Sequence, residues 1–261
     1  MLDKLDYARR MVSKMVCYFF FGLGALLLGA FFYPLLSIFI RDEVALRRLS
    51  RRMVRLSFAA FVRLMQIFGL IRVEFENAEA LRRSEGFIVA ANHPSLIDVV
   101  ILGSLVPHAD CIVKRQLWGV PFVRSIVRRA YIPNGLEFDE TARLCGSSLS
   151  EGNTLIVFPE GTRTRKDEVP RLRRGAARLA ISTGHDILPV CIFSGDASGL
   201  RKGDPFFCLP ERGPTVYLVR ALEPIRVGEY ARMEPALGAR ALTKHLTDVI
   251  LTTLRRSPAY G

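Results

Sequence analysis

The sequence predicts an α/β protein: a mostly parallel sheet flanked by helices, preceded by an N-terminal membrane-embedded helical element. Three observations predict it. From Leu70 onward, strand-like apolar runs alternate with helix-like segments, the pattern of a layered domain whose parallel strands are joined by crossover helices. Between Met15 and Ile40 there is no charged residue. The chain as a whole carries a net charge of +12, with basic residues on both sides of that apolar run. Its 261 residues suffice for one large domain or two small ones, and no internal repeat divides them. The expected organisation is membrane-embedded or interfacial helices over residues 1–70 and an α/β domain over residues 71–261.

The apolar run Val16 to Phe32, rich in Phe, Leu and Gly, has about the length needed to cross a bilayer. It is too long for a signal-peptide core and shows no small-residue cleavage site, so it is read as retained. Lys4, Arg9, Arg10 and Lys14 precede it, and Arg41, Arg47, Arg48, Arg51 and Arg52 follow it. Basic flanks favour the cytoplasmic side, and Pro34 offers a place to break the helix. Two topologies are open, one spanning helix or a shallow re-entrant pair of helices, and the two basic flanks lean towards the pair. Val44 to Leu70 reads as a helix, with Arg48, Arg52, Arg55 and Arg63 inside a roughly 80° arc. Such a helix suits a membrane interface, and equally a domain helix with a solvated charged stripe.

Beyond Leu70 the expected strands are Ile71 to Phe75, Phe87 to Ala91, Cys111 to Lys114, Thr154 to Phe158, Ile187 to Phe193 and Thr215 to Ala221. Helices are expected over Ser95 to Leu105, Pro121 to Arg129, Glu140 to Ser150, Gly175 to Thr183 and Pro235 to Arg255. Ligands of such sheets gather at the C-terminal ends of the strands. The five cysteines, Cys17, Cys111, Cys145, Cys191 and Cys208, are scattered without a C-x-x-C pair, which indicates neither a disulfide framework nor a metal site. The positive charge calls for an acidic partner; the apolar N-terminus points to anionic membrane lipid and away from nucleic acid.

Two strand ends carry candidate chemistry. Asn92-His93-Pro94-Ser95-Leu96-Ile97-Asp98 sets an imidazole at the end of the second strand and a carboxylate five residues on. An imidazole oriented by a carboxylate can take a proton from an alcohol, although the pair alone reads as well as a packed or capping histidine. Phe158-Pro159-Glu160-Gly161-Thr162-Arg163-Thr164 follows the fourth strand and offers an anion-binding loop; alone it would be a turn with a surface Glu-Arg pair.

Taken with Lys114 to Pro121 and Ile187-Leu188-Pro189-Val190, these motifs closely resemble, in order and spacing, the glycerolipid acyltransferases, the family of bacterial 1-acylglycerol-3-phosphate acyltransferases. The resemblance covers roughly residues 70 to 225 and extends to the hydrophobic N-terminus. It implies that His93 is the general base, that Asp98 orients its ring, and that no acyl-enzyme forms; no G-x-S-x-G elbow is present. It further implies that Glu160, Gly161, Thr162 and Arg163 bind the acceptor, the arginine at its phosphate, with Asn92 and Lys114 also in the substrate-binding set. No cofactor is implied beyond acyl-CoA or acyl carrier protein as co-substrate. The implied location is the cytoplasmic face of a bacterial inner membrane, with a lysophospholipid as acceptor.

The second motif departs from the family pattern. Lys114, Leu117 and Pro121 match it, but Arg124 stands where glycine is usual, and Tyr131-Ile132-Pro133-Asn134 replaces the usual F-I-D-R. Asn134 cannot supply the charge of the arginine that helps to hold the acceptor phosphate. A different acceptor is therefore a live alternative, and a non-enzymatic protein that binds anionic lipid is an alternative of another class. The cluster Arg163, Arg165, Lys166, Arg171, Arg173 and Arg174 could receive CoA phosphates, an acidic carrier or lipid head groups, or be a solvated loop. Pro205 to Leu209 is an apolar patch that either meets the membrane or folds back on the core. His108, His185 and His245 lack partnered motifs and are read as structural or solvated.

Overall fold

The computed structural model describes residues 2–256, apart from 114, 120–123, 125–126, 129–130, 166–167, 196–198 and 212. Helix α1 (Leu2–Leu27) continues through a π-helical turn, Leu28–Phe32, directly into α2 (Tyr33–Phe39). The break expected at Pro34 does not occur. Proline lacks an N–H and crowds the carbonyl four residues back; here it sits in the first turn of α2, just past the wider π turn, where the regular bonding is already interrupted. The chain reverses instead at Ile40 to Asp42, where Ile40 is extended and the Asp42 carboxylate accepts from the Val44 amide at 2.9 Å to cap α3 (Glu43–Ile67). The two arms pack antiparallel, Tyr18 and Phe21 against Phe61 and Tyr33 beside Leu46.

The helix over Lys4–Phe39 is long and apolar enough to cross a membrane, and its second half exposes Phe19, Phe20, Phe31, Phe32, Ile38 and Phe39. Its first turns behave differently. Arg10, Ser13, Lys14 and Cys17 fall on one helical face and are buried against the rest of the molecule. Two of the cations read as a membrane flank thus point into protein. Arg10 donates to the carbonyls of Glu211 and Gly213, both at 2.7 Å, and Lys14 to those of Phe206 and Cys208 at 2.6 and 3.1 Å. On α3 the stripe Arg48, Arg52 and Arg63 is exposed and Arg55 half-buried, whereas Arg51 is buried and paired with Asp110 at 2.9 Å.

The remainder is a three-layer α/β unit. In chain order it comprises β1 (Ile71–Glu76), α4 (Ala78–Arg82), β2 (Ile88–Ala91), α5 (Asp98–Leu105), β3 (Ala109–Val113), β4 (Ile132–Pro133), α6 (Phe138–Ser150), β5 (Thr154–Val157), α7 (Gly175–Thr183), β6 (Ile187–Ser194), β7 (Thr215–Ala221), α8 (Gly228–Ala231) and α9 (Pro235–Arg256). Among the described residues the strands form one sheet in the order β1-β7-β6-β2-β5-β3-β4, parallel at every neighbouring pair except β6 and β7. The helix expected over Pro121 to Arg129 lies largely outside the described residues.

Alternation along the central strands explains their unbroken apolar character. Val89 and Ala91 of β2, with Leu188, Val190 and Ile192 of β6, join a core with α3, α5 and Cys17 of α1. Ile88 and Ala90, with Ile187, Cys191 and Phe193, face the opposite core under α6, α7 and α9. A strand covered on both faces must be apolar at every position. The Pro205 to Leu209 patch divides: Leu209 is buried, Phe206 packs at a tilt against Tyr18 with ring centroids 5.3 Å apart, and Phe207 is 66% exposed.

Candidate active site

The C-terminal ends of β2 and β5, adjacent in the sheet, carry the two motifs. Asn92 closes β2. It is buried, and its amide is engaged at both ends by β6, donating to the Ile192 carbonyl at 2.9 Å and accepting from the Ile192 amide at 2.7 Å. This residue, expected among those that bind substrate, ties the end of β2 to β6.

Beyond it the chain does not enter a helix at Ser95, as expected, but only at Asp98. Ser95 is held outside the helix by a bridge to Arg201, and the Leu96 amide donates to the Leu200 carbonyl at 2.9 Å. The delay has a chemical result. His93 and Asp98 lie on either side of a tight loop, and His93 Nδ1 meets Asp98 Oδ2 at 2.8 Å. Asp98 is fully buried at the first turn of α5 and also accepts from the Ser95 amide at 2.6 Å and from the Ser95 hydroxyl. Burial pushes the Asp98 carboxyl up from its ordinary range, against the hydrogen bonds donated by His93 and Ser95, which favour the charged form. The start of α5 favours it too. An acceptor at Nδ1 leaves the lone pair on Nε2, and the His93 side chain is 20% exposed, open enough to meet a substrate.

The second motif forms a clamp on the backbone of His93. Glu160 Oε1 accepts the His93 amide at 2.8 Å, and the Thr164 amide donates to the His93 carbonyl at 2.9 Å. The Phe158 ring stacks on the imidazole, with centroids 4.1 Å apart and planes at 23°. Gly161, with φ at 72°, turns the chain between these contacts in a conformation that costs other residues energy. Burial raises the Glu160 carboxyl to about 7, and its Oε2 has no hydrogen-bond partner among the described residues. Thr162 is exposed at the rim, and Arg163 donates to the Leu200 carbonyl at 3.0 Å. Glu160, Thr162, Arg163, Arg171 and Arg173 line a cavity of about 610 Å³, suited to an anionic group.

Lys114 lies outside the described residues. Asn134 serves the local structure, since its Oδ1 accepts the Arg115 amide at 2.9 Å and its backbone N–H donates to the Val113 carbonyl at 2.7 Å, closing the loop that leaves β3. Ser95, Phe158 and Thr164 were missed as functional residues, although each stands inside a motif; the contribution of Leu200 and Arg201 has no local signal. Among the described residues, no group of His, Cys, Asp and Glu side chains could hold a metal ion.

A family model described as Acyltransferase matches residues 72–193, which contain both motifs. The 1-acyl-sn-glycerol-3-phosphate acyltransferase of Bacillus subtilis (strain 168) is 26% identical over 187 residues, 68% of this chain and 86% of its own. That of Salmonella typhimurium is 27% identical over 195 residues, 70% of this chain and 75% of its own. In fold, the chain is similar to the crystal structure of the 1-acyl-sn-glycerophosphate (LPA) acyltransferase PlsC from Thermotoga maritima. The TM-score is 0.73 at 24% identity, over 97% of this chain and 98% of that one. The protein is an acyltransferase. More narrowly, the family model and these relatives support the glycerolipid acyltransferase family.

Proposed function

We propose that this acyltransferase moves a fatty acyl group from the thioester of acyl-CoA or acyl carrier protein to the free hydroxyl of 1-acylglycerol 3-phosphate, at the cytoplasmic face of a membrane. The observation that carries the reading is the His93–Asp98 pair, with Nδ1 bonded to a buried carboxylate and Nε2 left as base. Nε2 takes the hydroxyl proton while the oxygen attacks the thioester carbonyl; the tetrahedral adduct then expels the thiolate, which recovers the proton from the imidazolium. Asp98 keeps the ring in its tautomer and stabilises the charge that develops on it. The basic cavity beside Glu160 and Arg163 suits the acceptor phosphate. An apolar cavity of about 710 Å³ between α1 and α3, lined by Phe20, Gly24, Phe58, Phe61 and Leu64 among others, suits a fatty chain. The relatives named above as 1-acyl-sn-glycerol-3-phosphate acyltransferases support this acceptor. The side chain of Asn134, engaged with the Arg115 amide, favours a second reading in which the chemistry is the same and the acceptor another lipid hydroxyl.

The test is transfer by purified protein in mixed micelles, with both donor types offered. His93→Ala is expected to lower turnover by about 10³ and Asp98→Asn by about 10², with flotation on vesicles unchanged. Turnover on a different acceptor, and none on 1-acylglycerol 3-phosphate with either donor, would remove the first reading in favour of the second. Unchanged turnover in His93→Ala would mean that His93 is not the base of the transfer.

A further inference from the structure

The segment Gly199 to Gly213, between β6 and β7, connects two distant parts of the molecule. At its start it borders the catalytic loop. The Leu200 carbonyl accepts from both the Leu96 amide and Arg163, and Arg201 forms a backbone bridge with Ser95, whose amide and hydroxyl hold Asp98. Further along, its carbonyls at Phe206, Cys208, Glu211 and Gly213 are the acceptors for Lys14 and Arg10 of α1.

The fit at Lys14 is close. Gly199 has φ at +63°, and a Cβ there would fall 2.6 Å from both the Cys208 carbonyl oxygen and Lys14 Nζ. The Gly199 amide donates to Asp204 Oδ2 at 3.1 Å, and the Phe206 ring lies 5.1 Å from the ammonium. The strap is thus folded around one buried cation and held down by a second, Arg10, which also pairs with Asp6 at 2.8 Å. Buried cations need acceptors with fixed geometry, so α1 and the strap specify each other. Cations serving only as a membrane flank would face lipid phosphates; these face inward, on the same helix as the exposed Phe19 and Phe20.

We propose that Arg10 and Lys14 are positioning residues for acyl transfer: acting through the strap Gly199 to Gly213, they couple the seating of α1 to the loop carrying His93 and Asp98. Lipid that takes up the apolar second half of α1 fixes the first half against the strap, and the strap fixes Ser95 and Leu96. This rests on the reading of His93 and Asp98 given above, but its primary readout needs no substrate.

The experiment is hydrogen exchange by mass spectrometry on the full chain, with and without phosphatidylethanolamine–phosphatidylglycerol vesicles. Exchange in 94–97 and in 199–213 is expected to slow together when vesicles are added to the unaltered protein. In Arg10→Gln and Lys14→Gln, both segments exchange about tenfold faster, kcat falls about tenfold or more with KM for the acceptor within about twofold, and the acid limb of the pH profile shifts. Vesicle flotation is unchanged. Gly199→Ala, which leaves both cations in place and strains the strap itself, reproduces these effects. Vesicle-induced protection of the strap without protection of 94–97 overturns the proposal. So does a loosened strap with kcat and pH profile intact, or variants that leave the vesicle while their kcat is normal. Absence of transfer by the unaltered protein would defeat the proposed function and leave the exchange result to decide the coupling.

Discussion

Ser95 and Glu160 show how much of the site is the placement of one histidine. Ser95 donates twice to Asp98, from its amide and from its hydroxyl, so Ser95→Ala removes the hydroxyl and leaves the buried carboxylate with the backbone amide and the imidazole as donors. About a tenfold loss in kcat is expected, smaller than that for Asp98→Asn, and steady-state kinetics of the two variants side by side checks the order. Glu160 holds the His93 amide from a buried position, and burial raises its carboxyl from 4.5 to about 7. Between those values the folded chain keeps a proton that the unfolded chain has released. The stability contributed is therefore complete below the lower value and lost as pH rises through the upper one. Glu160→Gln keeps an oxygen for the His93 amide and cannot ionise, so its melting temperature should gain on that of the unaltered protein as pH rises from about 5 to about 8. An unchanged difference across that range would mean that Glu160 is ionised throughout.

At the level of elements, one buried ion pair joins α3 to the sheet. Arg51 bonds Asp110 of β3 at 2.9 Å, and Asp110 also accepts from the Ser148 hydroxyl of α6 at 2.7 Å. Arg51→Met leaves the Asp110 carboxyl buried without its cation and is expected to cost about 3 kcal/mol or more, most of it recovered when Asp110→Leu is added; thermal melts of the single and double variants measure both. The contact also shows what a local reading of sequence can reach. β2, β5 and β6 were legible because burial on both faces makes every position apolar, and α3 because its arginines recur at a helical period. The inward turn of Arg51, Arg10 and Lys14 was not, since a cation in a basic run looks the same whether its partner is lipid or a carbonyl two hundred residues away. β4, two residues long and defined only by its pairing with β3, left no periodic signal. The start of α5 was misread for the same reason: Ser95 suits a first helical turn, and its bridge to Arg201 prevails. Of the site, the His93–Asp98 pair and the Glu160 loop were legible as motifs, whereas the engagement of Asn92 with Ile192 depends on which strand lies beside β2.

For the whole molecule, the decisive fact is that one core runs across residue 70. Phe61, Val62 and Met65 of α3 are buried in the same cluster as Val89, Ile101, Leu188 and Val219, and Cys17 of α1 joins them. A chain starting at Ile71 would lose the buried side chains of Phe61, Val62, Met65 and Leu70, each contributing about 1.5–3 kcal/mol, a total comparable with the roughly 5–15 kcal/mol by which domains are stable. It would also expose the face of α5 against which α3 packs. A chain starting at Glu43 keeps all of α3 and gives up α1, the π turn and α2, with the exposed Phe19, Phe20, Phe31 and Phe32 and the cations that hold the strap. The expected outcome is asymmetric. The shorter chain aggregates or melts without a cooperative transition, while the longer one melts cooperatively and no longer floats with vesicles; circular dichroism melts and flotation assays measure the two. Should the chain from Ile71 fold as well as the one from Glu43, α3 would be an accessory to the domain and not part of its core.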